Sequence, residues 1–241
     1  MKIITWNCKK YFNSKVKLVL AEKPDILVVP ECDNPEAFIF ESDALKPSNT
    51  IWFAAQGADR GIGVFSFGDY KIELLEIHNS SIKYVLPIAV SNNESNFILL
   101  AVWTHEPYTK QIWDGIKYYN TLLEGDIIIA GDFNSNSQWD NKNKNNSHSD
   151  LVKHLENKNI FSAYHHFKME LQGAETIPTF HWYHHENKPF HIDYCFASLN
   201  FINKLKNVEV GTFKDWAKHS DHMPLTFTFD FTDSDSIRSI S

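Results

Sequence analysis

Short apolar runs that stop abruptly at a polar residue constrain this chain more than any other feature. Residues 127–130 read Ile-Ile-Ile-Ala and then meet Gly131-Asp132; residues 26–29 read Ile-Leu-Val-Val and meet Pro30-Glu31. An apolar run without alternation is a strand covered on both faces. A carboxylate at its tip is costly unless it is paired, hydrogen-bonded or holding a cation. The same pattern recurs. Asn7 follows a strand over residues 1–6, and His105 follows one over 97–104. Asn134 lies just beyond Asp132, Asp193 lies inside a strand at 190–197, and Asp221-His222 precedes a last strand near 224–231. Strand ends let a rigid scaffold present side chains to a cleft.

Between these points the sequence alternates element types. Val16, Val19 and Leu20 have helical spacing after a cap at Asn13 or Ser14, and Pro24 closes that helix. Runs near 50–55, 61–67, 71–78, 82–90 and 97–104 predict strands in an antiparallel meander. Ile112, Ile116, Tyr119 and Leu123 predict a helix over 109–123. Residues 134–147, with the Asn/Lys tract 141–146, read as a long loop. Ser147 and Asp150 form a capping box for a helix over about 148–158. Strands are expected near 177–183 and 207–213, with a hairpin tip at 181–185. The pattern predicts an α/β (α+β) arrangement of two packed sheets flanked by helices. It forms one domain over 1–231, with a polar tail at 232–241.

Composition narrows the partners. The net charge is −7, and the only two arginines are Arg60 and Arg238. A protein gripping a long duplex shows a basic stripe, so a nucleic-acid partner here is expected to be short or single-stranded. The three cysteines, Cys8, Cys32 and Cys195, have no paired spacing and read as buried reduced thiols. With no apolar run long enough to span a membrane and no secretory signal ahead of the first strand, the reading is a cytoplasmic monomer without a membrane partner.

The strand-end residues suit hydrolysis of a phosphate ester. Glu31, Asp221 and Asn7 offer hard oxygen ligands for Mg²⁺ or Mn²⁺. Asp132 can take a proton from water, and Asn134 can orient that water. His222 can donate to the phosphate while Asp193 holds its ring. Arg60 can contact phosphate, Trp139 can stack on a base, and His181 can touch substrate. The histidines at 165, 166, 181, 184, 185 and 191 follow no tight zinc spacing.

Thr5-Trp6-Asn7, Pro30-Glu31, Gly131-Asp132-Phe133-Asn134, Ile192-Asp193-Tyr194 and Ser220-Asp221-His222 occur in an order that resembles the endonuclease/exonuclease/phosphatase superfamily. That superfamily includes abasic-site endonucleases, pancreatic-type deoxyribonucleases, sphingomyelinases and inositol polyphosphate 5-phosphatases. The resemblance spans residues 5–222 and is nearest to a compact bacterial branch. It implies a four-layer sandwich, Mg²⁺ or Mn²⁺, and the roles just given. His105 stands where abasic-site endonucleases carry a tyrosine and deoxyribonuclease-like members a histidine, a place that implies a phosphate contact, and the arginine-rich signature of the inositol phosphatases is missing. Three functions stay open: a nuclease on DNA or RNA, a phosphoesterase on a small phosphorylated metabolite or lipid headgroup, and a non-catalytic binding module.

Overall fold

The computed structural model describes residues 1–38, 46–55, 59–141 and 145–231. The chain opens with β1 (Lys2–Thr5), α1 (Phe12–Leu20) and β2 (Ile26–Cys32). Next come β3 (Asn49–Ala54), β4 (Gly61–Ser66), β5 (Lys71–Leu74), β6 (Val85–Ser91) and β7 (Asn96–Trp103). Then follow α2 (Tyr108–Tyr118), β8 (Ile127–Asp132), α3 (His148–Glu156), β9 (Ile160–Ser162) and α4 (Ala163–Lys168). The last part holds β10 (Phe180–His181), β11 (Pro189–Phe190), β12 (Asp193–Ser198), α5 (Leu199–Ile202), β13 (Leu205–Val210), α6 (Phe213–Trp216) and β14 (Leu225–Phe229).

Two six-stranded sheets form, ordered β13-β14-β1-β2-β4-β3 and β5-β6-β7-β8-β12-β9, with β10-β11 as a separate hairpin. Both large sheets are mixed. The first contains the parallel pair β1–β2 and the second the parallel pair β7–β8. Each pair is joined by a helical crossover, as parallel strands require.

Alternation along the strands sorts the core into layers. Ile3, Val28 and Val64 face Ile88, Leu99, Ile128 and Ala130 between the sheets. Ile4, Leu27 and Val29 face the other way, onto Phe12, Val16 and Val19 of α1. Leu100, Ile127 and Ile129 pack on Ile112, Ile116 and Leu151 of α2 and α3. The result is helix, sheet, sheet, helix, and it explains why the strands read as unbroken apolar runs.

Several expectations need correction. The five strand runs do not make one meander: β3–β4 belong to the first sheet and β5–β6–β7 to the second. The run at 71–78 is a strand only to Leu74. Helix α1 begins before Asn13, with Tyr11 as its left-handed N-cap residue and no side-chain cap. It ends at Leu20, short of Pro24. Strand β2 continues through Pro30 and Glu31, with a register break between Val29 and Cys32. The strands expected near 177–183 and 190–197 begin with only a two-residue pairing, Phe180–His181 against Pro189–Phe190. The capping box at Ser147 is formed as expected. Part of the Asn/Lys tract and the tail at 232–241 lie outside the described residues.

Candidate active site

The two parallel pairs point their C-terminal ends to the same edge of the sandwich. Asn7 leaves β1 there, and Glu31 sits at the end of β2. On the other sheet, Thr104 and His105 leave β7, and Asp132 ends β8. Strands β12 and β14 run antiparallel to β8 and β1, so their N-terminal ends reach this edge too, bringing Asp193 and Asp221-His222.

Asp132 is fully buried. Gly131 makes this possible: its φ is +147°, and a Cβ there would collide with the Val102 carbonyl on β7. The carboxylate receives Asn7 Nδ2 at 2.8 Å, the Asn134 backbone N–H at 2.9 Å and Asn134 Nδ2 at 2.9 Å. Asn134 also donates to the Thr104 carbonyl at 2.9 Å, which fixes it to β7.

Asp132 and Asp193 are direct cross-strand partners. Two like charges in that register repel, and His222 lies against both. Its Nδ1 is 2.9 Å from Asp193 Oδ2 and its Nε2 is 3.9 Å from Asp132 Oδ2. Nδ1 therefore carries the proton given to Asp193, and Nε2 faces Asp132. Burial opposes a charge on His222, but the carboxylates of Asp193 and Asp132 outweigh it and push its pKa up to about 10. Burial raises Asp132 to about 7, against the pull of His222. Trp6 Nε1 donates to the His222 carbonyl at 3.0 Å, Ser220 Oγ donates to the Asn7 carbonyl at 2.7 Å, and Phe180 packs on the His222 ring. Among the described residues, Asp132, Asp193 and His222 form a group with ligand-type atoms within 4.8 Å of one another.

The other two carboxylates are more open. Glu31 has a φ of +56°, accepts from Asn7 Nδ2 at 3.2 Å and pairs with Arg60 at 3.2 Å. Asp221 pairs with Lys9 Nζ at 2.7 Å. Both accept a cationic side chain, and both offer hard oxygen atoms of the kind a divalent cation takes. Asn7 Nδ2 brackets Glu31 and Asp132, and its Oδ1 accepts from the Lys9 backbone at 2.9 Å.

The remaining candidates scatter. Arg60 is engaged with Glu31. His105 is exposed at the end of β7, its N–H donated to Gln111 at 2.6 Å. Trp139, half exposed, packs on Phe190 and lines a cavity of about 590 Å³ with Tyr108, Asn134 and Asn136. His181 is buried, its ring against Phe213 and its N–H on the Asp221 carbonyl at 2.8 Å. Sequence reasoning missed Lys9 and His184, whose side chains meet at this edge. All three cysteines are buried, and burial pushes their thiols up.

A two-sheet sandwich with carboxylates, amides and a histidine gathered at one edge defines an α/β hydrolytic scaffold. The Endonuclease/Exonuclease/phosphatase family pattern matches residues 4–222, and the chain belongs to that family. Its members are hydrolytic nucleases and phosphatases, so the protein is an enzyme. Solved structures share the fold. An AP endonuclease from Archaeoglobus fulgidus is 16% identical with a TM-score of 0.68, covering 95% of this chain and 99% of that one. A 3'-5' exonuclease (NExo) from Neisseria meningitidis is 20% identical with a TM-score of 0.66, covering 95% and 100%. The endonuclease domain of TRAS1, a telomere-specific non-LTR retrotransposon, is 14% identical with a TM-score of 0.66, covering 95% and 97%. No curated protein sequence matches. No helix among the described residues is long and apolar enough to cross a membrane.

Proposed function

We propose that this enzyme is a Mg²⁺- or Mn²⁺-dependent phosphodiester hydrolase, a nuclease that acts on DNA or RNA by direct in-line attack of an activated water. The observation that carries the reading is the buried Asp132 carboxylate, aimed by Asn7 and Asn134 and faced by a His222 ring that Asp193 holds. Burial leaves Asp132 near neutrality, where a general base works best. It takes the proton of the attacking water, and Asn134 orients that water. His222 donates from Nε2 to a phosphate oxygen, its charge sustained by Asp193. Glu31 and Asp221 would hold the divalent ion, with Asn7 bracketing Glu31 against Asp132. The charge of such an ion would offset that of the phosphate and the leaving oxygen.

Nucleic acid is supported by the local cations Lys9 and Arg60 in an otherwise acidic chain. Exposed Trp139, Trp182 and Tyr183 add faces for unpaired bases. A short or single strand suits this better than a long duplex. The cavity beside Asn134 favours a second reading, a small phosphorylated metabolite. A cleavage panel separates them. Single-stranded and duplex DNA, RNA, an abasic duplex and bis(4-nitrophenyl) phosphate are incubated with Mg²⁺, Mn²⁺ or chelator, beside Asp132→Ala. Metal-dependent cutting of a strand, abolished in the variant, is the expected result. Cutting of the small diester alone moves the assignment to metabolites, and no cutting at all sinks it.

A further inference from the structure

Left-handed backbone collects on two segments that are far apart in sequence and touch at one point. Lys9, Lys10 and Tyr11 have φ of +52°, +68° and +54°, and Tyr183 and His184 have +53° and +57°. None is glycine, so each conformation is strained and persists only where its surroundings hold it; such strain gathers at functional sites. The first turn is fixed by Asn7, whose Oδ1 binds the Lys9 N–H at 2.9 Å. The second caps the β10–β11 hairpin. Between them lies a contact of 2.9 Å from Lys9 Nζ to His184 Nε2.

That contact is directional. His184 Nδ1 donates to the Ala217 carbonyl at 2.7 Å, which leaves Nε2 as an acceptor for the ammonium. Lys9 Nζ also reaches Asp221 Oδ2 at 2.7 Å. An ammonium has three N–H donors. With one on His184 and one on Asp221, the third can go to an incoming anion, and the Lys9 side chain, 41% exposed, is open to one. The two strained turns thus place a tethered cation on a carboxylate that would hold the divalent ion.

We propose that Lys9 is a further substrate-contacting residue of this site. It competes with the divalent ion for Asp221 in the free enzyme and, kept in place by His184, donates to a non-bridging oxygen of the scissile phosphate during turnover. This rests on the phosphodiesterase reading. It adds a fixed positive charge to a reaction that depends mainly on charge stabilisation and positioning.

The test is Lys9→Met, with His184→Ala as a milder variant on an exposed hairpin tip. Mn²⁺ binding to each metal-free protein is measured by calorimetry. Turnover of bis(4-nitrophenyl) phosphate and of a single-stranded oligonucleotide is measured at saturating Mn²⁺, with circular dichroism as the check of fold. Removing the competing ammonium should tighten Mn²⁺ binding at least threefold and slow turnover by roughly 10²-fold. His184→Ala should slow turnover by roughly tenfold, because the lysine keeps its charge and loses only its tether. A merely structural lysine would weaken both properties together. Turnover of Lys9→Met within threefold of wild type, or Mn²⁺ affinity that fails to rise, overturns the proposal. Should Lys9→Met not fold, unchanged turnover in His184→Ala overturns it. Wild-type protein that binds no Mn²⁺ and cleaves neither substrate removes the phosphodiesterase reading itself.

Discussion

Both sheets carry a strand–helix–strand crossover that ends at the same edge, yet the two ends differ chemically. At the tip of β8, Asp132 is fully buried and its hydrogen bonds come from neutral amides. At the tip of β2, Glu31 is partly open, on left-handed backbone, and is met by a guanidinium. Asp221, just before β14, is met by an ammonium. Burial raises a carboxylate's pKa and suits it to moving a proton. Access to solvent and a cationic partner suit it to exchanging ions. Under the function proposed above, the first end would move protons and the second would exchange ions.

Substitutions at the two tips should therefore fail differently. Asp132→Asn keeps the packing and removes the base, so turnover should fall by roughly 10³–10⁴-fold with no recovery at high Mg²⁺. Recovery at high metal, read in a steady-state titration, would erase the distinction between the tips. Asp193→Asn removes the charge that sustains His222, and turnover should fall by roughly 10²-fold. The sign of its pH effect follows from that charge. Asp193 holds the His222 pKa high, so activity that needs the protonated ring is lost only as pH rises through about 10. Without Asp193 that basic limb moves to lower pH, and a limb that stays put would show the ring charge to be unnecessary. Glu31→Gln should raise the Mg²⁺ needed for half-maximal rate by roughly 10-fold, with excess metal restoring most of it.

A further effect is on stability and falls on one half of the molecule. His148 on α3 and His191 beside β12 are buried, and burial lowers each to about 4. The unfolded chain takes up these protons from about pH 6.5 downward. The contribution is full above that pH and is lost as pH falls to 4, roughly 3 kcal/mol for each ring. Glu175 acts lower still. Burial works against its charge, but His165 and the Gly173 N–H hold it down at about 2, so its share is lost below about pH 4.5. Amide exchange at pH 5 should therefore rise in α3 and β12 before β1 and β2, and uniform loosening would contradict that placement.

The residues of the buried tip were legible in the sequence because each lies beside an apolar run, Asn7, Asp132 and Asn134 after one and Asp193 and His222 at or before the start of one, and all arrive at one edge. Their partners were less so. The Arg60–Glu31 pair and the Lys9–His184 contact join positions with no shared local pattern, fixed only when β4 and the β10–β11 hairpin are placed. Left-handed backbone at lysine and tyrosine carries no composition signal, unlike Gly131. The burial of His181 was hidden for a related reason: Phe213, which covers its ring, belongs to α6, a four-residue helix without visible periodicity. The split of the meander was hidden because strands that leave for the opposite sheet look, residue by residue, like strands that stay.

Strand β14 enters the first sheet last and yet occupies an interior place in it, between β13 and β1. Trp6 is hydrogen-bonded to His222, and Ser220 to Asn7, so residues from opposite ends of the chain clasp each other at the reaction centre. The first strand keeps one edge unpaired until β14 docks beside it. Docking of β14 is also what brings His222 against Asp132 and Asp193, so closing the sheet and gathering these side chains are a single event.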